Sequence, residues 1–375
     1  MKSFKFFLLI FITVNYSACA QQVDSEIKAE EPIGVNYTTE LIIDELSIPW
    51  GMAFLPDGSL LITEKSGELI HFKNNERVTI SGLPEVYNRG QGGLLDVIIH
   101  PKFSENGWIY FSYASQEGDG DGGNTAIMRA KLDGNTLIDK QVLYKAEPNT
   151  TKGQHFGSRL VFDNEGFLYF SVGDRGNRDE NPQDITRDCG KIYRLNDDGT
   201  VPNDNPFISE PNAKTAIYSY GHRNPQGMFK HPETGEIWTH EHGPQGGDEI
   251  NIIQKGLNYG WPKISYGINY SGTTLTENTA LPGMEQPLFY WVPSIAPSGF
   301  AIISSDKYPE WKGDLLVGSL KFQYLERLVL ENNKVVKREK LFEGLGRVRN
   351  VVQAPDGYIY VSIENLGIVK IVPKS

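Results

Sequence analysis

Cysteine is almost missing from this chain. Only Cys19 and Cys189 occur among 375 residues, so no disulfide framework can brace the fold. Cys189 has no evident base beside it in sequence and reads as a buried structural thiol rather than a nucleophile. Long apolar runs are equally scarce. The longest, Phe6 to Val14, follows Lys2 and Lys5 and precedes Ser17, Ala18, Cys19 and Ala20. Residues 1–20 therefore have the layout of an export signal, whose apolar run is too short for a spanning helix. Two cleavages stay open. A site ending at Ala20 releases a soluble protein, whereas Ser17-Ala18-Cys19 resembles a bacterial lipobox that acylates Cys19. The expected location is the periplasm, free or tethered to the outer membrane by that lipid. A basic stripe is missing too, and the net charge of −11 speaks against a nucleic-acid partner.

Amphipathic helices longer than two turns are also lacking, while glycine (39) and proline (21) are abundant. That balance suits an all-β chain with many turns. Residues 21–36 are polar and acidic and read as a flexible tether. From residue 37 to 375 one pattern recurs six times: an apolar strand, a tight polar turn, and a second strand of aliphatic and aromatic residues. The copies are Gly51–Thr63, Leu95–Tyr113, Leu160–Val172, Met228–Thr239, Phe300–Val317 and Val351–Ser362. Their turns include Pro56-Asp57-Gly58, Glu105-Asn106-Gly107 and Pro355-Asp356-Gly357, which are strong hairpin signals. Further strand-like pieces, Glu68–Phe72 and Lys191–Leu195 among them, lie between the copies. Four-stranded antiparallel units repeated six times predict a single six-bladed β-propeller domain over 37–375.

In a hairpin, the start of the first strand and the end of the second lie together, opposite the turn. All six turns should therefore face one rim, and the residues flanking the hairpins should meet at the other. Those residues are Gln91, His155, Asp174, Arg223, Asn224, Gln226, His242, Gly243, Pro244, Lys321, Arg347 and Arg349. An acidic chain thus gathers four cations at one mouth, which calls for an anionic, multi-carboxylate ligand. The carbonyls of Gly243-Pro244 suit a hard cation such as Ca²⁺. His155, among glycines, can serve as a base or simply as a hydrogen-bonded loop residue. Arg347 and Arg349 share a strand face and can equally form a salt-bridged rim. His240 and His242 sit two apart, but a zinc pair lacks further ligands nearby.

The pieces Gly90-Gln91-Gly92-Gly93, His155-Phe156-Gly157-Ser158-Arg159, Gly173-Asp174, Gly221-His222-Arg223-Asn224-Pro225-Gln226-Gly227, His242-Gly243-Pro244, Asp248-Glu249-Ile250-Asn251 and Asn258-Tyr259-Gly260-Trp261-Pro262 follow in order. Together they resemble the soluble aldose sugar dehydrogenases that use pyrroloquinoline quinone (PQQ), from about residue 45 onward. The resemblance implies Ca²⁺- and PQQ-dependent oxidation of aldose sugars at C1 to aldonolactones, with electrons passed to an external acceptor. It implies His155 as general base, Asp174 and Gln91 beside it and the sugar, and Arg223 facing the quinone oxygens. Asn224, Gln226, Lys321, Arg347 and Arg349 would contact the cofactor, and the carbonyls of Gly243 and Pro244 would hold its Ca²⁺. A second, structural Ca²⁺ is implied near Glu249, Tyr259 and Glu285. The loops are shorter than in glucose-specific members, so a more open site and broad aldose use are expected. Two other classes remain for such a fold: a Ca²⁺-dependent lactonase, which wants carboxylates around its metal, and a non-catalytic binding propeller.

Overall fold

The structure is a computed structural model that describes residues 27–32 and 35–374. The export signal and Cys19 lie outside the described residues. The second strand of each unit is mostly apolar and buried, as in Leu168–Val172 and Ile359–Ile363, where every residue is buried. Such strands are covered on both faces, which is why they read as largely apolar runs rather than alternating ones. Edge strands such as Thr136–Lys145 are largely exposed on one side and carry the polar residues.

Six sheets result. In blade 1 the strands Pro49–Phe54, Leu60–Glu64, Glu68–Lys73 and Glu76–Ile80 pair in sequence order, all antiparallel. Each expected hairpin supplies the first two strands of one blade. The first strands are Pro49–Phe54, Leu94–Ile99, Leu160–Phe162, Pro225–Lys230, Pro297–Ile302 and Val348–Gln353. Each packs against the next, and the last packs against the first. This closed ring is the six-bladed β-propeller of four-stranded blades. The only helix among the described residues is one turn, Phe103–Asn106.

The ring is sealed by non-local pairing. Tyr37–Asp44 pairs antiparallel with Gly367–Pro373 and completes blade 6 as its outermost strand. Within the segment read as a tether, Ala29–Glu30 pairs parallel with Lys334–Leu341 and adds a fifth strand to blade 5. Arg338 donates to the carbonyl of Ile27, so this stretch is docked on an otherwise open sheet edge, a usual way of masking one. The long connections belong to blades 3 and 4, above all between Ile253 and Phe289.

Blades 5 and 6 are stitched by Tyr308, whose hydroxyl donates to the Ile371 carbonyl at 2.7 Å and accepts from the Ile359 amide at 2.9 Å. Ile371 is fully buried in a cluster with Tyr37, Tyr308, Val361 and Trp311. Ile371→Ala is therefore expected to lower unfolding free energy by about 2–5 kcal/mol, as read by urea denaturation. A loss under about 0.5 kcal/mol, the range of ordinary surface substitutions, would show that the seam is not part of the cooperative core.

Candidate active site

The starts of the six first strands and the ends of the six second strands open on the same rim. A cavity of about 620 Å³ there is lined by Gln91, Gln226, Pro244, Lys321, Arg347 and Arg349. A second cavity of about 370 Å³ is lined by His155, Asp174, Arg223, Pro244 and Trp261. The two share Pro244 and Tyr270. Residues far apart in sequence thus meet at one mouth, as the hairpin geometry requires.

His155 sits at φ 59°, a left-handed conformation that is unfavourable for a residue other than glycine. Its amide is held by the Gln91 side-chain carbonyl at 2.8 Å. The imidazole Nδ1 lies 2.6 Å from Asp174 Oδ1. Asp174 is itself fixed from three sides. Its Oδ2 accepts from the Trp261 indole at 2.9 Å, its Oδ1 from the Gly176 amide at 2.7 Å, and its own amide donates to the Arg223 carbonyl. A carboxylate at Nδ1 keeps the proton there and leaves Nε2 as the acceptor. Burial pulls the imidazole below its ordinary value against the opposing pull of Asp174, and Arg223 pulls it down further. Burial alone would raise Asp174, but the His155 bond and charge, with Arg223, hold its carboxyl below the usual range. The pair is therefore a neutral imidazole oriented by an ionised carboxylate.

The larger cavity is cationic in a structured way. Arg347 and Arg349 both bind Glu364: Arg347 Nε at 2.6 Å to one oxygen, Arg349 Nε at 3.0 Å to the other. Burial would raise Glu364, yet the two guanidinium groups hold it below the ordinary carboxylate range. Arg349 also donates to the Gln226 side-chain oxygen at 3.2 Å. Lys65 lines the same cavity, with its ammonium on Asn88 Oδ1 and the carbonyls of Gly90 and Gly92. Burial, with Arg349, lowers its pKa. Four cations thus face one carboxylate, which is already bridged.

Arg223 is buried, and its Nη1 donates to the carbonyls of His242 and Gly243, both at 2.9 Å. The Gly243–Pro244 turn is pinned by Asp248, which accepts from the Gly243 amide at 2.8 Å and from the amides of Ile295 and Ala296. Gly243 keeps one carbonyl lone pair beyond the guanidinium bond, and Pro244's carbonyl accepts no hydrogen bond among the described residues. His242 donates Nε2–H to the Pro297 carbonyl at 2.6 Å, and burial pulls it down to about 3. His240 is buried against Phe300 with neither ring nitrogen partnered. The two imidazoles therefore serve different neighbours.

Beneath this turn, Glu249 and Tyr259 line a small void together with Glu241. Asn251 bridges the two carboxylates at 3.2 and 3.3 Å. Burial and then the charge of Glu241 push Glu249 up to about 8. Glu241 lines this void, and Glu285 stands beside it, its amide on the Asn258 carbonyl at 2.8 Å and its charge acting on Tyr259.

A family model described as Glucose / Sorbosone dehydrogenase matches residues 46–369. An aldose sugar dehydrogenase of Escherichia coli (strain K12) is 43% identical over 338 residues, covering 88% of this chain and 90% of that protein. The chain belongs to the glucose/sorbosone dehydrogenase family. It is an oxidoreductase of the aldose and glucose dehydrogenase type. Quinoprotein glucose dehydrogenase B of Acinetobacter calcoaceticus is 27% identical over 425 residues, covering 89% of this chain and 87% of that one. Among solved structures, the apo form of the E. coli soluble aldose sugar dehydrogenase superposes with TM-score 0.85 at 40% identity, over 90% of this chain and all of that one. The PQQ-bound aldose sugar dehydrogenase of Streptomyces coelicolor gives 0.73 at 25% identity, over 90% and 98%.

Sequence reasoning about this dehydrogenase missed four residues at the mouth or under it: Lys65, Glu364, Trp261 and Glu241. Lys65 and Glu364 directly follow the second strands of blades 1 and 6, so the hairpin rule itself could have found them. Glu241 ends the second strand of blade 4, so the same rule reaches it, whereas Trp261 acts through a contact that no local pattern records. One orphan group favours a bound ligand here. Asn224 is fully buried; its oxygen accepts from the Gly157 amide at 3.1 Å, while its Nδ2 has no partner. An unpartnered amide this deep costs about 1–3 kcal/mol, and a ligand acceptor at the mouth would satisfy it.

The His155 imidazole of the unloaded protein is expected to titrate below 6.5, followed by NMR. Asp174→Asn removes the one charge that raises it, so the midpoint moves lower still. A midpoint above 6.5, or an upward move in the variant, would contradict the neutral-imidazole arrangement.

Proposed function

We propose that this dehydrogenase oxidises aldose sugars at C1 to aldonolactones, with PQQ as hydride acceptor and Ca²⁺ beside it. The observation that carries this reading is the His155–Asp174 pair opening onto a cationic cavity. The cations Lys65, Lys321, Arg347 and Arg349, with the Asn224 amide, suit the carboxylates and carbonyls of the quinone. The carbonyls of Gly243 and Pro244 suit a Ca²⁺ ion. Glu249 and Tyr259, with Glu285 and the neighbouring Glu241, suit a second, structural one, since carboxylates gathered this closely favour a cation between them.

When bound, the quinone would supply two-electron acceptance for the hydride lost from C1. His155 Nε2 takes the proton of the C1 hydroxyl, so the C–O bond gains its second component as the C–H bond breaks. Asp174 stabilises the imidazolium that forms and holds the ring in place, while Trp261 and Gly176 hold Asp174. Arg223, clamped by two carbonyls and 5.3 Å from the Trp261 ring centre, supplies a fixed positive charge facing the reacting groups. Electrons then leave to an external acceptor. A carboxylate-ligated hydrolytic metal receives no support from the larger cavity, because the one carboxylate among its described lining residues, Glu364, is held by two arginines.

Protein loaded with PQQ and Ca²⁺ is expected to reduce a dye with a range of aldoses, and His155→Ala to lower kcat by about 10²–10⁴ while PQQ still binds. A loaded protein that oxidises no aldose across a wide panel, or a His155→Ala variant of undiminished kcat, overturns the reading.

A further inference from the structure

The first strands of the blades end at the rim opposite the mouth, and a cavity of about 300 Å³ lies between them on the propeller axis. All six blades contribute to its wall, through Met52, Asp96, Leu160, Met228, Phe300 and Val351 among others. It shares no lining residue with the two cavities at the mouth. One stack of side chains divides them. Trp50 lines the large mouth cavity and Arg159 lines this one, with the guanidinium 4.2 Å from the Trp50 ring centre.

Arg159 is the buried cation at the inner end. Its Nε donates to the Gln226 carbonyl at 2.9 Å and its Nη1 to Asp96 Oδ1 at 2.9 Å, while Asp96 Oδ2 accepts from the Leu160 amide at 2.9 Å. Nη2 is buried as well and has no partner in the protein. The fork therefore keeps one nitrogen for a ligand, although its charge is already balanced by Asp96. A carboxylate placed against it would set two buried anions on one guanidinium, an uncompensated charge. A neutral oxygen, such as that of a ketone, an amide or a phenol, accepts from Nη2 without this cost. Asn350 offers a second donor in the same cavity. Its Oδ1 takes the Val351 amide at 2.9 Å, and its Nδ2 donates to nothing among the described residues.

The rest of the cavity suits an apolar body. Met52, Met228, Phe300 and Val351 are buried in its wall, and methionine adapts to the shape presented to it. At the outer end the Lys230 ammonium is turned onto Asn164 Oδ1 at 2.7 Å, and Gln353 is tied to Ser304 at 2.8 and 2.9 Å. The volume is about twice the ~150 Å³ that admits a benzene ring, so one substituted ring fits. Apolar walls with a few convergent donors are what small-molecule sites share.

We propose that this axial cavity binds a small neutral molecule, a single ring bearing a carbonyl or phenolic oxygen. The oxygen accepts from Arg159 Nη2, and the ring packs against Met52, Met228 and Phe300. The site stands apart from the reading of the mouth and takes no part in sugar oxidation.

The test uses acetophenone as the probe and benzoate as its charged counterpart of the same size. Each is titrated into the protein with PQQ and Ca²⁺ present, and again without them, and read by NMR at the labelled methyl groups of Met52 and Met228. Acetophenone should shift both methyls saturably in either form. Benzoate should bind at least about tenfold more weakly, since it brings the second buried anion. The infrared carbonyl stretch of bound acetophenone should fall to the range of a hydrogen-bonded ketone. In Arg159→Met it should return to its value in hydrocarbon, with acetophenone bound about tenfold more weakly. Methyl shifts with neither probe, as a cavity holding water alone would give, overturn the site. Tighter binding of benzoate overturns the ligand class. A carbonyl stretch at its hydrocarbon value in the unaltered protein overturns the Arg159 contact, and that measurement decides even where Arg159→Met does not fold.

Discussion

The pairing of Tyr37–Asp44 with Gly367–Pro373 is the constraint on which the molecule turns. A ring of sheets keeps every first strand at its station only if the two ends of the chain are joined. Here the joint is a full antiparallel ladder inside one blade, so opening it exposes both a sheet edge and the apolar seam with blade 5. Because the first strands share one direction, closing the ring also delivers their starting residues to one mouth. Fold and site are consequences of the same closure.

The electrostatics of that mouth show how an acidic protein makes a cationic pocket without scattering charge into the core. Arg347 and Arg349 share Glu364, which fixes both guanidinium groups and leaves donors over. Lys65 is held by backbone carbonyls rather than by a carboxylate. Charges tied in this way lose less entropy when a ligand arrives, the sense in which such sites are preorganised. His155 shows the complementary device. Asp174 orients the imidazole while burial keeps it neutral, so the ring stands ready to accept a proton at ordinary pH.

The hairpins were legible because each joins two strands that are apolar on both faces across a polar turn of fixed chemistry. Leu168–Val172 and Ile359–Ile363 announce themselves in sequence for that reason. Outer strands such as Glu76–Ile80 and Thr136–Lys145 do not, because their exposed faces carry polar residues that dilute the pattern. The docking of Ala29–Glu30 was illegible for another reason. Its partner lies about three hundred residues away, and two residues carry no period. At the site, hairpin geometry brought His155, Asp174, Arg223, Lys321, Arg347 and Arg349 to one place, since each flanks a first or second strand. It was silent on Trp261, which reaches Asp174 from a long connection of blade 4.

The central claim is that one mouth of the ring clasps an anionic redox ring between its cations and His155. A crystal structure of the protein loaded with PQQ and Ca²⁺ tests this most directly. The account expects the quinone in the cavity lined by Lys321, Arg347 and Arg349, within hydrogen-bond reach of the Asn224 amide and facing the His155 imidazole. A quinone bound at the opposite rim, or bound here with Asn224 still unpartnered and His155 turned away, would contradict it.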